Sequence, residues 1–159
     1  MILITLGTQD KKFYRLLDSV QKLIDNKTIN EKVIVQAGVS DDYVSKDMEI
    51  FDLIPMEKFE DLIKSCDLLI THGGVGSIIT GLKHNKKVIA CPRLEKYGEH
   101  INDHQLQIID NFTKSGFILG YNENDDLAKI LKNVKKFKPK KYTSNVNSFI
   151  KKIELEIEK

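Results

Sequence analysis

Asp67-Leu68-Leu69-Ile70-Thr71-His72-Gly73-Gly74-Val75-Gly76-Ser77 is the stretch that decides the fold. A short apolar run, Asp67 to Thr71, enters a glycine-rich turn, and Val75 to His84 then carries apolar residues at helical spacing. A buried strand passing through glycines into a helix is the repeating unit of an open parallel sheet. In such sheets ligands sit at the carboxyl ends of the strands. The chemistry of the turn suits one. Glycines leave backbone N–H groups free to aim at one spot, the helix N-terminus adds partial positive charge, and Ser77 adds a hydroxyl. Together these fit a phosphate or diphosphate. The plainer alternative is a tight turn whose glycines serve packing alone. The run is neither G-x-G-x-x-G nor a P-loop with its Lys-Ser/Thr, so neither a dinucleotide nor an ATP site is indicated.

Outward from this stretch, strands alternate with helices. Ile2 to Leu6, Lys32 to Ala37, Glu49 to Leu53, Lys87 to Cys91 and Phe117 to Leu119 read as the other strands. Lys12 to Ile24, Glu57 to Ser65, His100 to Lys114 and Asp125 to Val134 read as helices, the last capped by Asn124 or Asp125. Regular alternation predicts a doubly wound, Rossmann-like parallel sheet covered on both faces. Residues 1–134 form the predicted domain. Residues 135–143, with Pro139, read as a basic linker. Residues 144–159 read as an amphipathic helix with Val146, Phe149, Ile150, Ile153 and Ile157 on one stripe. That helix either folds back on the sheet or docks on another protein.

Composition narrows the function classes. The chain has 159 residues, 41% hydrophobic and 30% charged, which suits one soluble domain with a full core. A net charge of +2 speaks against a dedicated nucleic-acid binder. Lys132, Lys135, Lys136, Lys138, Lys140 and Lys141 crowd one segment, either a solvated helix end or a patch for anionic lipid or an acidic partner. Cys66 and Cys91 each border an apolar run and read as small buried thiols, not a disulfide framework. Met1 to Gly7 has no basic leader, and no apolar run nears the ~18 residues of a membrane span. The expected location is the cytosol.

Two further strand ends carry unusual residues. Gly7-Thr8-Gln9 follows the first strand, where Thr8 can join an anion site at the fourth. Cys91-Pro92-Arg93 ends the fifth, followed by Glu95, Tyr97, Glu99, His100, Asn102, Asp103, His104 and Gln105, a polar set suited to a hydroxyl-rich sugar. His100 and His104 stand i, i+4, but no third metal ligand accompanies them, and no Asp-x-Asp pair is present to hold a metal-bound sugar diphosphate.

Gly7-Thr8, then His72-Gly73-Gly74-x-Gly76-Ser77, then Pro92-Arg93…Glu99-His100-x-x-Asp103-His104-Gln105, in that order, resemble the C-terminal, donor-binding domain of GT-B glycosyltransferases of the MurG type. The pattern is similar to the stand-alone PssE-like and CpsG-like subunits of capsule and exopolysaccharide synthesis. It is similar too to the catalytic subunit of the eukaryotic enzyme that adds the second GlcNAc to dolichol-diphosphate.

The resemblance implies half of a GT-B fold, a UDP-sugar donor, metal-independent transfer and a lipid-diphosphate-linked saccharide acceptor. It implies a membrane-anchored subunit (PssD/CpsF-like) that supplies the missing N-terminal half and recruits this chain to the inner face of the membrane. Thr8 and the Gly73, Gly74, Gly76 and Ser77 turn, with Gly7 beside it, fall on diphosphate-binding positions, and His104 and Gln105 on the pair near sugar and ribose. Pro55, Met56 and Phe59 are candidates for the uracil pocket. Where the family places a ribose-binding Glu, this chain has Ile79 and Thr80, so ribose contact is either weaker or comes from elsewhere, such as Glu99 or His100. The expected function is transfer of a hexose, galactose first, from UDP to a polyprenyl-diphosphate-linked sugar, with the base drawn from His72, His100 or the partner. The alternative is a non-catalytic nucleotide-sugar-binding module.

Overall fold

The computed structural model describes residues 1–141, 143 and 145–158; within the last helix it describes the side chains of 148 and 150–155. Strands β1 (Ile2–Thr5), β2 (Val33–Gln36), β3 (Met48–Phe51), β4 (Leu68–His72), β5 (Lys87–Cys91) and β6 (Leu119–Gly120) alternate with helices α1 (Tyr14–Asp25), α2 (Met56–Ser65), α3 (Val75–Lys83) and α4 (His104–Lys114). Helices α5 (Leu127–Val134) and α6 (Asn145–Glu158) follow.

All pairings are parallel, in the order β3-β2-β1-β4-β5-β6. This is the doubly wound arrangement expected from the alternation. Strands β1 and β4 are buried along their whole length, which is why they read as continuous apolar runs instead of alternating ones. Ile4 pairs with Val35 on one side and Ile70 on the other. Successive strand residues feed opposite cores. Ile2, Ile4, Val35 and Ile70 pack with Leu16, Leu17 and Val20 of α1 and Leu127 of α5. Leu3, Leu69 and Val88 pack with Ile63 of α2, Ile78 of α3, Phe112 of α4 and Ile153 of α6.

The order of strands fixes where a ligand can sit. The direction in which strands are added to the sheet reverses between β1 and β4, and their carboxyl ends form the crevice of the switch point.

Several boundaries differ from expectation. Helix α4 begins at His104, not His100, so the two histidines do not stand one turn apart on a helix. Asp126 caps α5, accepting from Ala128 N at 2.9 Å, while Asp125 accepts from Asn122 N. The terminal helix folds back: Ile153 is 2% exposed, and Ile150 packs against the same cluster. Val146, Phe149 and Ile157 of its expected stripe lie outside the described side chains. Both thiols are buried and free, as expected. Among the described residues no helix is long and apolar enough to cross a membrane.

Candidate functional site

The turn after β4 is built around the His72 ring. A Cβ on Gly7 would stand 2.5 Å from His72 Nε2, and one on Gly74 would overlap Cε1. The imidazole is therefore wedged between two glycines, one from each side of the switch point. Gly73 is fixed by packing as well, since a Cβ there would lie 2.8 Å from Gln105 Cβ and 2.9 Å from Ile109 Cδ1. Gly76 is different: a Cβ there would meet nothing within 4 Å. Packing explains three of these glycines and leaves the fourth facing open space.

That space is ringed by donors. Gly74 ends the extended backbone before α3 and has no side chain to cap the helix. The first bond of the helix is Ile78 N to Gly74 O at 3.2 Å, so the amides of Val75, Gly76 and Ser77 have no carbonyl one turn back. The Ser77 hydroxyl stands beside them, half-buried. Thr8 lies exposed on the β1 loop, next to the Gly7 that touches the His72 ring. The arrangement offers an oxyanion several N–H and O–H groups at a positive helix end.

His72 itself is 6% exposed, with Ser77 Oγ 3.3 Å from Nε2 and Gln105 Nε2 3.2 Å from Nδ1. Burial, then the Arg93 guanidinium, push its imidazole down to about 4. His72, expected as a candidate base, thus has both ring nitrogens within hydrogen-bond reach of protein groups, and its environment makes it a weaker base than a free imidazole. His100 keeps an exposed portion; its Nδ1 accepts from Asn102 N at 3.3 Å, and burial and Arg93 lower it too.

Gln105 holds three loops together. Its Oε1 accepts from Gly73 N at 2.9 Å and Arg93 N at 3.0 Å, and its Nε2 meets His72. With 4% exposure, three of its four hydrogen-bonding positions are filled by the protein. His104 opens α4, half-buried, its N–H held by Asn102 Oδ1 at 3.0 Å.

Glu99 is the clearest correction. Instead of facing a ribose it is 3% exposed and accepts from Arg15 Nη2 at 2.9 Å, Arg15 Nε at 3.1 Å and Leu94 N at 3.0 Å. Both oxygens are taken. Thr80 turns its hydroxyl onto Gly76 O at 2.8 Å, and Ile79 packs into the second core cluster, so neither replaces the missing Glu. Pro55 caps α2, Met56 is 69% exposed and Phe59 packs on the cluster that also takes in α3. They follow β3 in the crossover that leads to β4, on the carboxyl side of the sheet that also carries the turn.

Three braces lie outside the roles expected from the motifs. Arg93 is 1% exposed and donates to the carbonyls of Leu6, Lys11 and Glu99, its guanidinium 4.9 Å over the Phe13 ring. Arg15 reaches Pro92 O at 2.8 Å as well as Glu99. Gln36 accepts from Thr5 Oγ1 at 2.6 Å and donates to Gly7 O and Asp52 O. A buried amide at the end of an otherwise apolar strand was the one available signal, and it pointed to Gln36. Among the described residues no group of three or more His, Cys, Asp or Glu is placed to hold a metal.

Comparison with known proteins agrees with this geometry. The chain is 28% identical over 108 residues to a UDP-N-acetylglucosamine transferase subunit of Candida albicans, covering 68% of this chain and 35% of that protein. It is 36% identical over 62 residues to the subunit of the same name in Saccharomyces cerevisiae, covering 38% and 29%. It thus spans about a third of the length of the curated relatives it matches. The solution structure of an ALG13 protein superposes with a TM-score of 0.59 at 18% identity, covering 96% of this chain and 94% of that one. A glycosyltransferase of kitacinnamycin superposes at 0.62 and 15% identity, covering 99% of this chain and 38% of that one. Both show the fold, one half of GT-B. The model of the glycosyltransferase family 28 C-terminal domain matches residues 1–158, and the chain belongs to that family.

Proposed function

We propose that this chain is the donor-binding, catalytic subunit of a UDP-sugar-dependent glycosyltransferase whose acceptor side is supplied by a partner. One observation carries the reading: the amides of Val75, Gly76 and Ser77 lie in the first turn of α3 with no carbonyl one turn back, at the carboxyl end of β4 and beside the Ser77 hydroxyl. Those groups, with Thr8, would hold the diphosphate and stabilise the charge that grows on UDP as the bond from the anomeric carbon to its oxygen breaks. The acceptor hydroxyl attacks that carbon, and its proton passes to a base. The burial and lowered basicity of His72 favour a base from the partner or His100 over His72 itself. Backbone near Pro55 and Met56, with Phe59, receives the uracil. His104 stands nearest the sugar.

The relatives are named as subunits of a UDP-N-acetylglucosamine transferase, which supports both the donor class and division into subunits. The partner is membrane-anchored, of the PssD/CpsF-like kind, and brings this chain to the inner face of the membrane. Residues 1–134 bind the donor, 135–143 link, and α6 braces the fold against α4 through Ile150 and Ile153. The capsule-type resemblance points to galactose and a polyprenyl-diphosphate-linked acceptor; the relatives' names point to N-acetylglucosamine.

Titration with UDP and with ADP tests uridine recognition, and equal affinities would refute it. Transfer by the reconstituted complex from UDP-galactose and UDP-N-acetylglucosamine onto a polyprenyl-diphosphate-linked sugar identifies the donor. Full activity of the isolated chain would refute the division of labour.

A further inference from the structure

We infer that Gln105, His72 and Ser77 form a directed chain of hydrogen bonds in which His72 is a positioning residue that makes the Ser77 hydroxyl an obligate donor to an anionic oxygen at the turn. The inference rests on the reading that a diphosphate binds there.

The direction follows from groups that can act in one sense only. Backbone amides donate, and those of Gly73 and Arg93 both reach the same side-chain atom of Gln105, at 2.9 and 3.0 Å. That atom is the carbonyl oxygen, so the atom facing His72 is the –NH2 group, which donates. His72 Nδ1 at 3.2 Å therefore accepts and carries no proton. In a neutral ring the proton is then on Nε2, which donates to Ser77 Oγ at 3.3 Å. Ser77 accepts from the ring, which leaves its own hydrogen to be donated to another acceptor. In the other tautomer the hydroxyl would donate into Nε2 and present lone pairs to a phosphate oxygen.

The surroundings hold this tautomer. Gly7 and Gly74 press on the ring, so it cannot flip without moving both loops. A charged imidazolium would set Nδ1–H against the Gln105 –NH2, donor against donor. Burial opposes that charge, and so do the charged and titratable neighbours Arg93 and His100.

The imidazole 15N resonances of the unmodified full-length chain report the tautomer without ligand. The expected result is the neutral Nε2–H form from pH 5 upward, unchanged by UDP; the Nδ1–H form or an imidazolium overturns the inference. Calorimetric titration with UDP then compares Ser77→Ala, His72→Leu and the double variant. Ser77→Ala should weaken binding about tenfold or more, the loss of one charge-assisted hydrogen bond. His72→Leu should cost less than about twofold once Ser77 is already Ala, because it acts only through that hydroxyl. Additive losses would mean that His72 touches the ligand itself, and would overturn the chain of bonds. If His72→Leu does not fold, the 15N measurement on the unmodified protein decides alone. Absence of UDP binding in the unmodified chain refutes the donor-site reading instead, and the ligand-free tautomer distinguishes the two failures.

Discussion

Replacing Gly76 by Ala should make the protein more stable and a poorer UDP binder. The site offers no steric objection: an added Cβ meets nothing within 4 Å, and Gly76 does not use a left-handed backbone. It lies in the first turn of α3, where Ala removes the excess freedom glycine has in the unfolded chain. The gain is about 0.5–1 kcal/mol. For a domain of this size that is a rise in Tm of about 1–4 °C. The same methyl is added within the first turn of α3, beside the amides of Val75, Gly76 and Ser77. Pushing a diphosphate away from one of those donors removes a charge-assisted bond worth about 1.5–3 kcal/mol, or about 10–100-fold in Kd. Thermal unfolding and calorimetric titration with UDP measure the two effects on one sample. A variant that gains stability and keeps the original Kd would refute the reasoning, because it would show that no ligand comes close to this helix end. Gly74→Ala is the control. Its Cβ overlaps the His72 ring, which Gly7 stops from retreating, so it should destabilise by about 1–3 kcal/mol.

Gln105→Leu leaves the amides of Gly73 and Arg93 buried without an acceptor, and urea unfolding should show a loss of about 2–5 kcal/mol. Glu99→Gln should lower stability, since Arg15 loses its charged partner, yet keep the UDP Kd within about twofold, because both Glu99 oxygens face protein. A large loss of affinity without loss of stability would return Glu99 to the ribose. Stability should also fall with acid. His72 has its folded-state value depressed from 6.5 to about 4, so the unfolded chain binds the proton first. Its contribution is complete above pH 6.5 and is lost between there and pH 4, a change of about 3 kcal/mol measurable by urea unfolding across that range. A flat profile there would contradict a buried neutral ring.

The sheet was legible because strands buried on both faces are written as uninterrupted apolar runs, and β1, β4 and β5 are such runs. The start of α4 was not. His100, Ile101 and His104 have helical spacing, but Ile101 is 74% exposed, and Asn102 Oδ1 takes the His104 amide, which holds the chain in a turn before the helix. The motif positions around the turn were legible too, while the direction of each side chain was not. Glu99 and Gln105 are the polar residues a sugar site would use, and spacing cannot reveal that Arg15, on α1, closes over one and that two backbone amides close over the other. Arg15 sits on an amphipathic helix where any charged residue would look solvated. Its partner is visible only in three dimensions.

These braces explain how a shallow turn can serve a reaction that develops charge. Arg93 holds the carbonyls of Leu6 and Lys11, Gln36 holds that of Gly7, and Gln105 holds Gly73 against the strand end of Arg93. Each buried polar side chain fixes the backbone of a loop, so the loops after β1, β4 and β5 form one rigid rim. Donors left over in that rim, the amides of Val75, Gly76 and Ser77, are aimed before any ligand arrives. Charge appearing on a departing diphosphate then meets dipoles that need no reorientation, which is where electrostatic stabilisation of a transition state is most effective. The division into buried braces and open donors also separates the effects of mutation: substitution at Gln105 or Glu99 should act first on stability, and substitution at Gly76 or Ser77 first on the nucleotide.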